Sequence, residues 1–143
     1  MSDATQIARS FRDLRTYQAA REAAQEVFTV SKSFPKEERY SLTDQIRRSS
    51  RAVKAMIAEG WGRRRYVAVF VSKIDEALGE ANETRSWLDD ALDCGYIDQN
   101  SFARMDAAWK GVAAKLSRMI DRAPDFCKHP PNFDYRVMEA EEL

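Results

Sequence analysis

Apolar residues recur along this chain at steps of three and four, in four blocks separated by turn signals. In the first block Leu14, Tyr17, Ala20, Ala24, Val27 and Phe28 share one face, which predicts a helix over about 11–32. Ser33–Phe34–Pro35 breaks it, because proline cannot continue a helix but suits the first turn of the next. In the second block Leu42, Ile46, Ser49, Val53, Met56 and Gly60 alternate steps of four and three, and Ile57 widens the stripe. That is the spacing of a bundle seam, and it predicts a helix over about 41–61. Ser41 reads as its N-cap, with Asp44 where a capping box carries Glu, and Gly60 and Gly62 read as its end. Phe70, Ile74, Ala77, Ala81, Leu88 and Leu92 mark a third helix over about 66–94. "CGYID" supplies the next turn, with Gly95 just past the helix end and Asp98 as the following cap. Phe102, Met105, Trp109, Val112, Leu116 and Ile120 mark a fourth helix over about 98–122, stopped by Pro124.

Short links between long amphipathic helices make sequence neighbours antiparallel. The expected fold is all-α, an antiparallel up-down-up-down four-helix bundle over residues 11–122. Residues 1–10 read as a mobile N-terminal tail. Residues 123–143, proline-containing and closing on "EAEEL", read as a disordered or surface-draped acidic tail. A chain of 143 residues is one domain and buries a core without disulfide staples. Cys94 and Cys127 fit either two free thiols in a reducing cytoplasm or a secreted pair, and Cys94 reads as core or turn packing. No apolar run has the look of a signal peptide or the length of a membrane span, so the expectation is a soluble, cytoplasmic protein with no membrane partner.

Charge changes this picture by its placement. Lys+Arg and Asp+Glu both number 23, so the total points to no partner. Yet residues 46–65 carry Arg47, Arg48, Arg51, Lys54, Arg63, Arg64 and Arg65 against Glu59 alone, a net +6. Residues 74–93 carry Asp75, Glu76, Glu80, Glu83, Asp89, Asp90 and Asp93 against Arg85, a net −6. On a helical wheel Arg47, Arg51 and Lys54 lie nearly opposite the Leu42/Ile46/Val53 stripe, with Arg48 at the edge of that sector. Three readings stand: a solvated face, a face that meets phosphates of RNA or DNA, and a face that pairs with the acidic third helix of another subunit. Trp87 shares a face with Glu76, Glu80, Glu83 and Asp90. It covers a neighbouring helix of the same chain or anchors a subunit interface.

Candidate chemistry is sparse. The single histidine, His129, lies in the proline-rich tail, so the Glu-x-x-His of diiron bundles, His-based triads and ordinary zinc sites are all missing. There is no C-x-x-C, and Gly60-x-Gly62 follows a helix rather than a strand, so it is no nucleotide-binding loop. Pairs such as Glu76/Glu80 read as solvated neighbours on one helix. No catalytic residue, metal site or cofactor is expected.

"FPKEERYSLTDQIRRSS", then "IAEGWGRRR", then Phe70 and a late "GYI" together resemble the 23S rRNA intervening-sequence protein family. The matching positions are Phe34, Pro35, Glu38, Tyr40, Leu42, Gln45, Ile46, Arg47, Arg48, Ile57, Ala58, Glu59, Gly60, Gly62, Arg63, Phe70 and Gly95–Tyr96–Ile97. The upstream "FRDLRTYQAA" matches the family's opening, so the resemblance covers about residues 11–120. Met56 stands where relatives usually carry Asn, and Lys54 where they often carry Pro, which straightens the second helix. The resemblance implies a four-helix bundle that assembles as a homopentamer around a central channel, with no known enzyme among its members. A related branch serves diversity-generating retroelements as an accessory protein, binding reverse transcriptase and nucleic acid through a basic surface. In this light Arg47 and Arg48, which match the family pattern, are subunit-pairing or backbone-contacting residues. Arg51, Lys54, Arg64 and Arg65 lie outside it and are freer to meet a partner. Glu59, Gly60 and Gly62 read as structural: the glycines allow a tight exit where the second and third helices approach. Glu59 pairs with Arg63 or accepts from the amides that open the third helix.

Overall fold

The computed structural model describes residues 9–128 and Glu139. The tail readings for residues 1–8, 129–138 and 140–143, His129 included, lie outside the described residues. Four long helices, α1 (Arg15–Ser31), α2 (Leu42–Gly62), α3 (Val67–Asp93) and α4 (Gln99–Asp121), are followed by a short α5 (Ala123–Lys128). Single 3₁₀ turns precede α1 (Phe11–Asp13) and α2 (Lys36–Glu38). Each long helix packs against two others in a ring, α1 on α2, α2 on α3, α3 on α4 and α4 on α1. Side-chain pairs fix the directions. Ser49 meets Thr84 while Gly60 lies against Ile74, so α2 and α3 are antiparallel. Ser31 meets Arg47, Arg85 meets Asp106, and Glu26 meets Arg104, which orients the remaining neighbours in the same sense. The fold is all-α with four helices packed together, as the apolar spacing predicts.

The core is built from the expected stripes. Leu14, Val27, Ile46, Val53, Ile57, Phe70, Ile74, Leu88, Met105, Trp109 and Leu116 are all fully buried. Burying a side chain of that size stabilises by about 1.5–3 kcal/mol. Phe28, Met56, Leu92, Phe102 and Ile120 are only partly buried, at the edges of their stripes. A three-four repeat marks a face but not its centre. One hydroxyl pair, Ser49 and Thr84 at 2.8 Å, closes the α2–α3 contact inside the core.

The helix ends differ from expectation in three places. Ser41 does not cap α2 with its side chain; its hydroxyl donates to Glu38, and Glu38 accepts from the Leu42 amide at 3.3 Å. Neither Gly60 nor Gly62 takes a left-handed conformation, and α2 runs through both. Gly60 stands instead where α2 and α3 approach closely. A Cβ there would sit 3.0 Å from Ile74 Cδ1, whereas at Gly62 it would meet nothing. The third difference is Pro124. It falls in the first turn of α5 rather than closing the bundle, which suits a residue without an amide proton. Ala123 and Phe126 are buried, and the Phe126 ring stacks on Phe70 with centroids 5.8 Å apart. The helical body therefore extends beyond residue 122.

The α3–α4 turn follows the sequence. Gly95 has φ +77, Gly95 N–H donates to Leu92 O and Tyr96 N–H to Ala91 O, the paired bonds of a glycine-terminated helix. Asp98 accepts from the Ser101 amide at 2.7 Å and caps α4. Cys94, expected in core or turn packing, stands exposed at the α3–α4 turn.

Candidate nucleic-acid interface

The basic positions of α2 divide into groups with different employment. Arg47 Nε donates to Ser31 Oγ at 2.7 Å, and its guanidinium lies 4.8 Å from the centre of the Phe28 ring. Arg51 lies over the same ring at 5.1 Å and Lys32 at 5.0 Å. Three cations thus gather around one half-buried aromatic ring, each contact worth about 0.5–1 kcal/mol at such sites. This corrects the expectation that Arg47 and Arg51 point away from the bundle, since α1 lies beneath them. Arg48 is exposed on the side facing α3. It lines an open groove with Gln45, Ser49, Arg51, Ala52, Glu80 and Glu83. The basic face of α2 and the acidic face of α3 therefore begin to meet within one chain. Burial pushes the Glu80 carboxyl above its ordinary range, as does the charge of Glu83, and Arg48 offsets this in part. Lys54 is partly buried on the same helix.

The acidic helix has mixed surroundings. Glu76 pairs with Lys73 at 3.3 Å, and the same ammonium meets Glu59 at 3.2 Å. Glu59 bridges α2 to α3 through Lys73, not through Arg63 as its spacing suggests. Trp87 is partly buried against the core, and its indole N–H points to Glu83 at 3.5 Å. It covers its own bundle. Asp90 is exposed. Among the described residues no group of three His, Cys, Asp or Glu is placed to hold a metal ion, and no helix is long and apolar enough to cross a membrane.

The α2–α3 corner carries three consecutive arginines, Arg63, Arg64 and Arg65. The backbone folds back on itself here. Arg63 N–H donates to Gly60 O at 3.0 Å and Tyr66 N–H to Arg63 O at 3.0 Å. Arg64 lies over the Trp61 ring, 3.4 Å from its centre, and its Nε donates to Trp61 O at 2.8 Å. Its charge sits on the last carbonyls of α2, where a cation is favoured. Arg63 and Arg65 are exposed, and their side chains make no hydrogen bond or ion pair to another described residue. Tyr66 is 58% exposed, and Val67 and Val69 are 37% exposed, beside them. No carboxylate occurs between Glu59 and Asp75. Arg12, Arg118 and Arg122 belong to the same end of the bundle, where α1 opens and α4 closes.

Two of the quoted family motifs, the "FPKEE" link and the "GYI" turn, meet at the opposite end, while "IAEGWGRRR" and Phe70 belong to the α2–α3 corner. Tyr96 donates its hydroxyl to Glu38 at 2.8 Å, and its ring packs 5.6 Å from Phe34. The hydrogen bond to Glu38 pushes the Tyr96 phenol up to about 12, and donation from Ser41 and Tyr96 holds the Glu38 carboxyl below its usual range. Phe34, Glu38 and Tyr96 are thus a joint between the α1–α2 link and the α3–α4 turn. A family model described as 23S rRNA-intervening sequence protein matches residues 12–118. The chain belongs to this family. It is similar to a solved structure from Bacteroides thetaiotaomicron, a protein of unknown function from the S23 ribosomal protein family. The two share 25% identity with a TM-score of 0.67, over 73% of this chain and 97% of that one. No curated protein matches the chain.

Sequence reasoning passed over Tyr66, which sits in a run of exposed residues directly after three arginines. It also passed over Glu139. This carboxylate is buried and accepts from the Arg15 amide at 2.7 Å, from the Thr16 amide at 2.9 Å and from the Thr16 hydroxyl. Leu14, the residue at the cap position of α1, supplies no side-chain acceptor, so Glu139 acts as the cap from the far end of the sequence. Burial pushes its carboxyl up, and these donors and Lys115 offset part of that.

Proposed function

We propose that this protein is a non-enzymatic, homo-oligomeric bundle that works as a nucleic-acid-associated binding or scaffold protein. RNA or DNA phosphates meet it at the α2–α3 corner. The observation that carries this reading is the contrast among the arginines. Arg47, Arg51 and Arg64 are engaged on Phe28, Ser31 and Trp61, whereas Arg63 and Arg65 stand exposed in a stretch without carboxylates. Side chains already engaged within the chain have little to give a partner; guanidinium forks held in water are ready for phosphate oxygens. Arg48 and Lys54 extend the surface along α2. The balanced total charge limits general affinity, so binding is local and salt-sensitive. Assembly as a pentamer is what the family resemblance adds. It supplies several corners to one nucleic acid, and with them avidity.

The test is binding of the purified protein to a structured RNA and a duplex DNA across a range of salt. Each phosphate contact contributes about 0.9 to the slope of log affinity against log salt, so Arg63→Ala with Arg65→Ala lowers the duplex slope by about 1.8. Sedimentation of the double variant stays that of the parent. An absence of binding at about 50 mM salt, low enough to favour phosphate contacts, rejects the proposal. An unchanged slope moves the contact elsewhere.

A further inference from the structure

We infer that the α2–α3 corner takes unpaired bases, with Tyr66 as the stacking platform and Arg63 and Arg65 on the adjoining phosphates. This rests on the nucleic-acid reading above and names the form of nucleic acid that fits it. Tyr66 is the N-cap residue of α3, in extended backbone with φ −123 and ψ 110. Its position is fixed on both sides. Its amide donates to Arg63 O, and its carbonyl accepts from Phe70 N–H at 3.0 Å. Phe70 is fully buried, so the tyrosine is mounted on the core although its side chain is 58% exposed. Neither its ring nor its hydroxyl touches another described aromatic, cation or hydrogen-bonding group.

A ring on a backbone held at both sides, unpartnered among the described residues and next to two arginines unpaired among them, combines the two elements of single-strand binding, a flat face and local positive charge. A duplex satisfies only the second. Its phosphates are reachable, but its bases are already stacked on one another and present no face to Tyr66. An unpaired base offers both. Arg64 does not substitute for the ring, because its guanidinium is already engaged over Trp61. The apolar neighbours Val67 and Val69 extend the surface on which a base and its sugar rest.

The experiment measures anisotropy of a labelled oligouridylate and oligothymidylate of about 12 nucleotides, and of a duplex of equal length, with the full chain. Tyr66→Ala is expected to weaken single-strand binding about tenfold, with the salt slope unchanged, and to alter duplex binding less than about twofold. Tyr66→Phe keeps the parent's single-strand affinity, since stacking needs the ring and not the hydroxyl. Tyr66→Ala that weakens single strand and duplex alike, or neither, overturns the inference. In the second case, if Arg63→Ala with Arg65→Ala still lowers the salt slope, the broader nucleic-acid reading survives alone. A parent protein that binds neither probe ends both readings. A change of sedimentation in Tyr66→Ala assigns the ring to a contact between copies of the chain and likewise overturns the inference. The thermal midpoint of Tyr66→Ala, expected to equal the parent's, separates these outcomes from misfolding.

Discussion

Replacing Phe126 by Ala tests whether α5 belongs to the folded body. Phe126 is only 2% exposed, and its ring stacks on Phe70 at 5.8 Å with an interplanar angle of 21°. Truncating a buried Phe to Ala costs about 3–5 kcal/mol, from lost apolar contact plus the cavity left behind. The aromatic pair adds about 0.5–1.5 kcal/mol that a Leu cannot replace. Because α5 is short and ends the described helical stretch, it can settle partly into the gap, and the low end, about 3 kcal/mol, is expected. With a urea dependence of about 2 kcal/mol per molar, the unfolding midpoint falls by about 1.5 M. Phe126→Leu, which keeps most of the apolar volume, lowers it by less than half as much. Both are measured by circular dichroism at the parent's protein concentration, because self-association contributes to apparent stability. Asp125, exposed and 3.4 Å from Arg122, serves as the control. Its replacement by Ala leaves the midpoint within about 0.5 M, as an exposed ion pair contributes little. A Phe126→Ala midpoint that falls less than about 0.3 M refutes the packing argument, and α5 then unfolds independently of the bundle.

Two further outcomes follow from the polar contacts. Glu139→Gln keeps the size but removes the charged acceptor, so the Arg15 and Thr16 amides should exchange with deuterium about tenfold faster than in the parent, while Ile57 and Ile74 are unaffected; unchanged exchange at residues 15 and 16 removes Glu139 from the cap. Tyr96 titrates near 12 when folded against an ordinary 10, so its contribution to stability is complete below about pH 10 and is lost as pH rises towards 12. The stability difference between the parent and Tyr96→Phe should therefore shrink across that window in urea titrations, and a constant difference would mean that Glu38 does not hold the phenol proton.

The four long helices were legible because burial imposes a period of its own. Any stretch that packs one face against neighbours must repeat apolar residues every three or four positions, and Leu14 to Leu116 do so. The spacing is blind to what lies across from a stripe. Phe28 satisfies the period as well as Val27 does, yet Phe28 is a surface platform for Lys32, Arg47 and Arg51. The same blindness set Arg47 opposite the buried stripe without showing α1 beneath it. Glycine was legible where its backbone freedom is used, at Gly95 with φ +77. It was misleading at Gly60, where it serves to bring α2 close to Ile74. Pro124 carries either meaning in sequence, stop or start, and Phe126 decides for start by finding Phe70. The basic corner was visible as "RRR", but spacing could not show that the middle arginine is laid on Trp61 and the outer two are not. Glu139 left no local signal, since its partners are 123 and 124 positions away.

That separation has a topological consequence. Glu139 touches Arg15, so the first and last described parts of the chain are neighbours although the bundle lies between them along the sequence. Such a chain is close to a ring. Were Glu139 joined back to Ser10 through a linker, the chain could be opened at the exposed Lys36–Glu37 step without breaking any long helix. The same four helices would be traced in a rotated order, with α2 synthesised first and α1 last. The basic corner would then stand near the start of the chain, still held between α2 and α3.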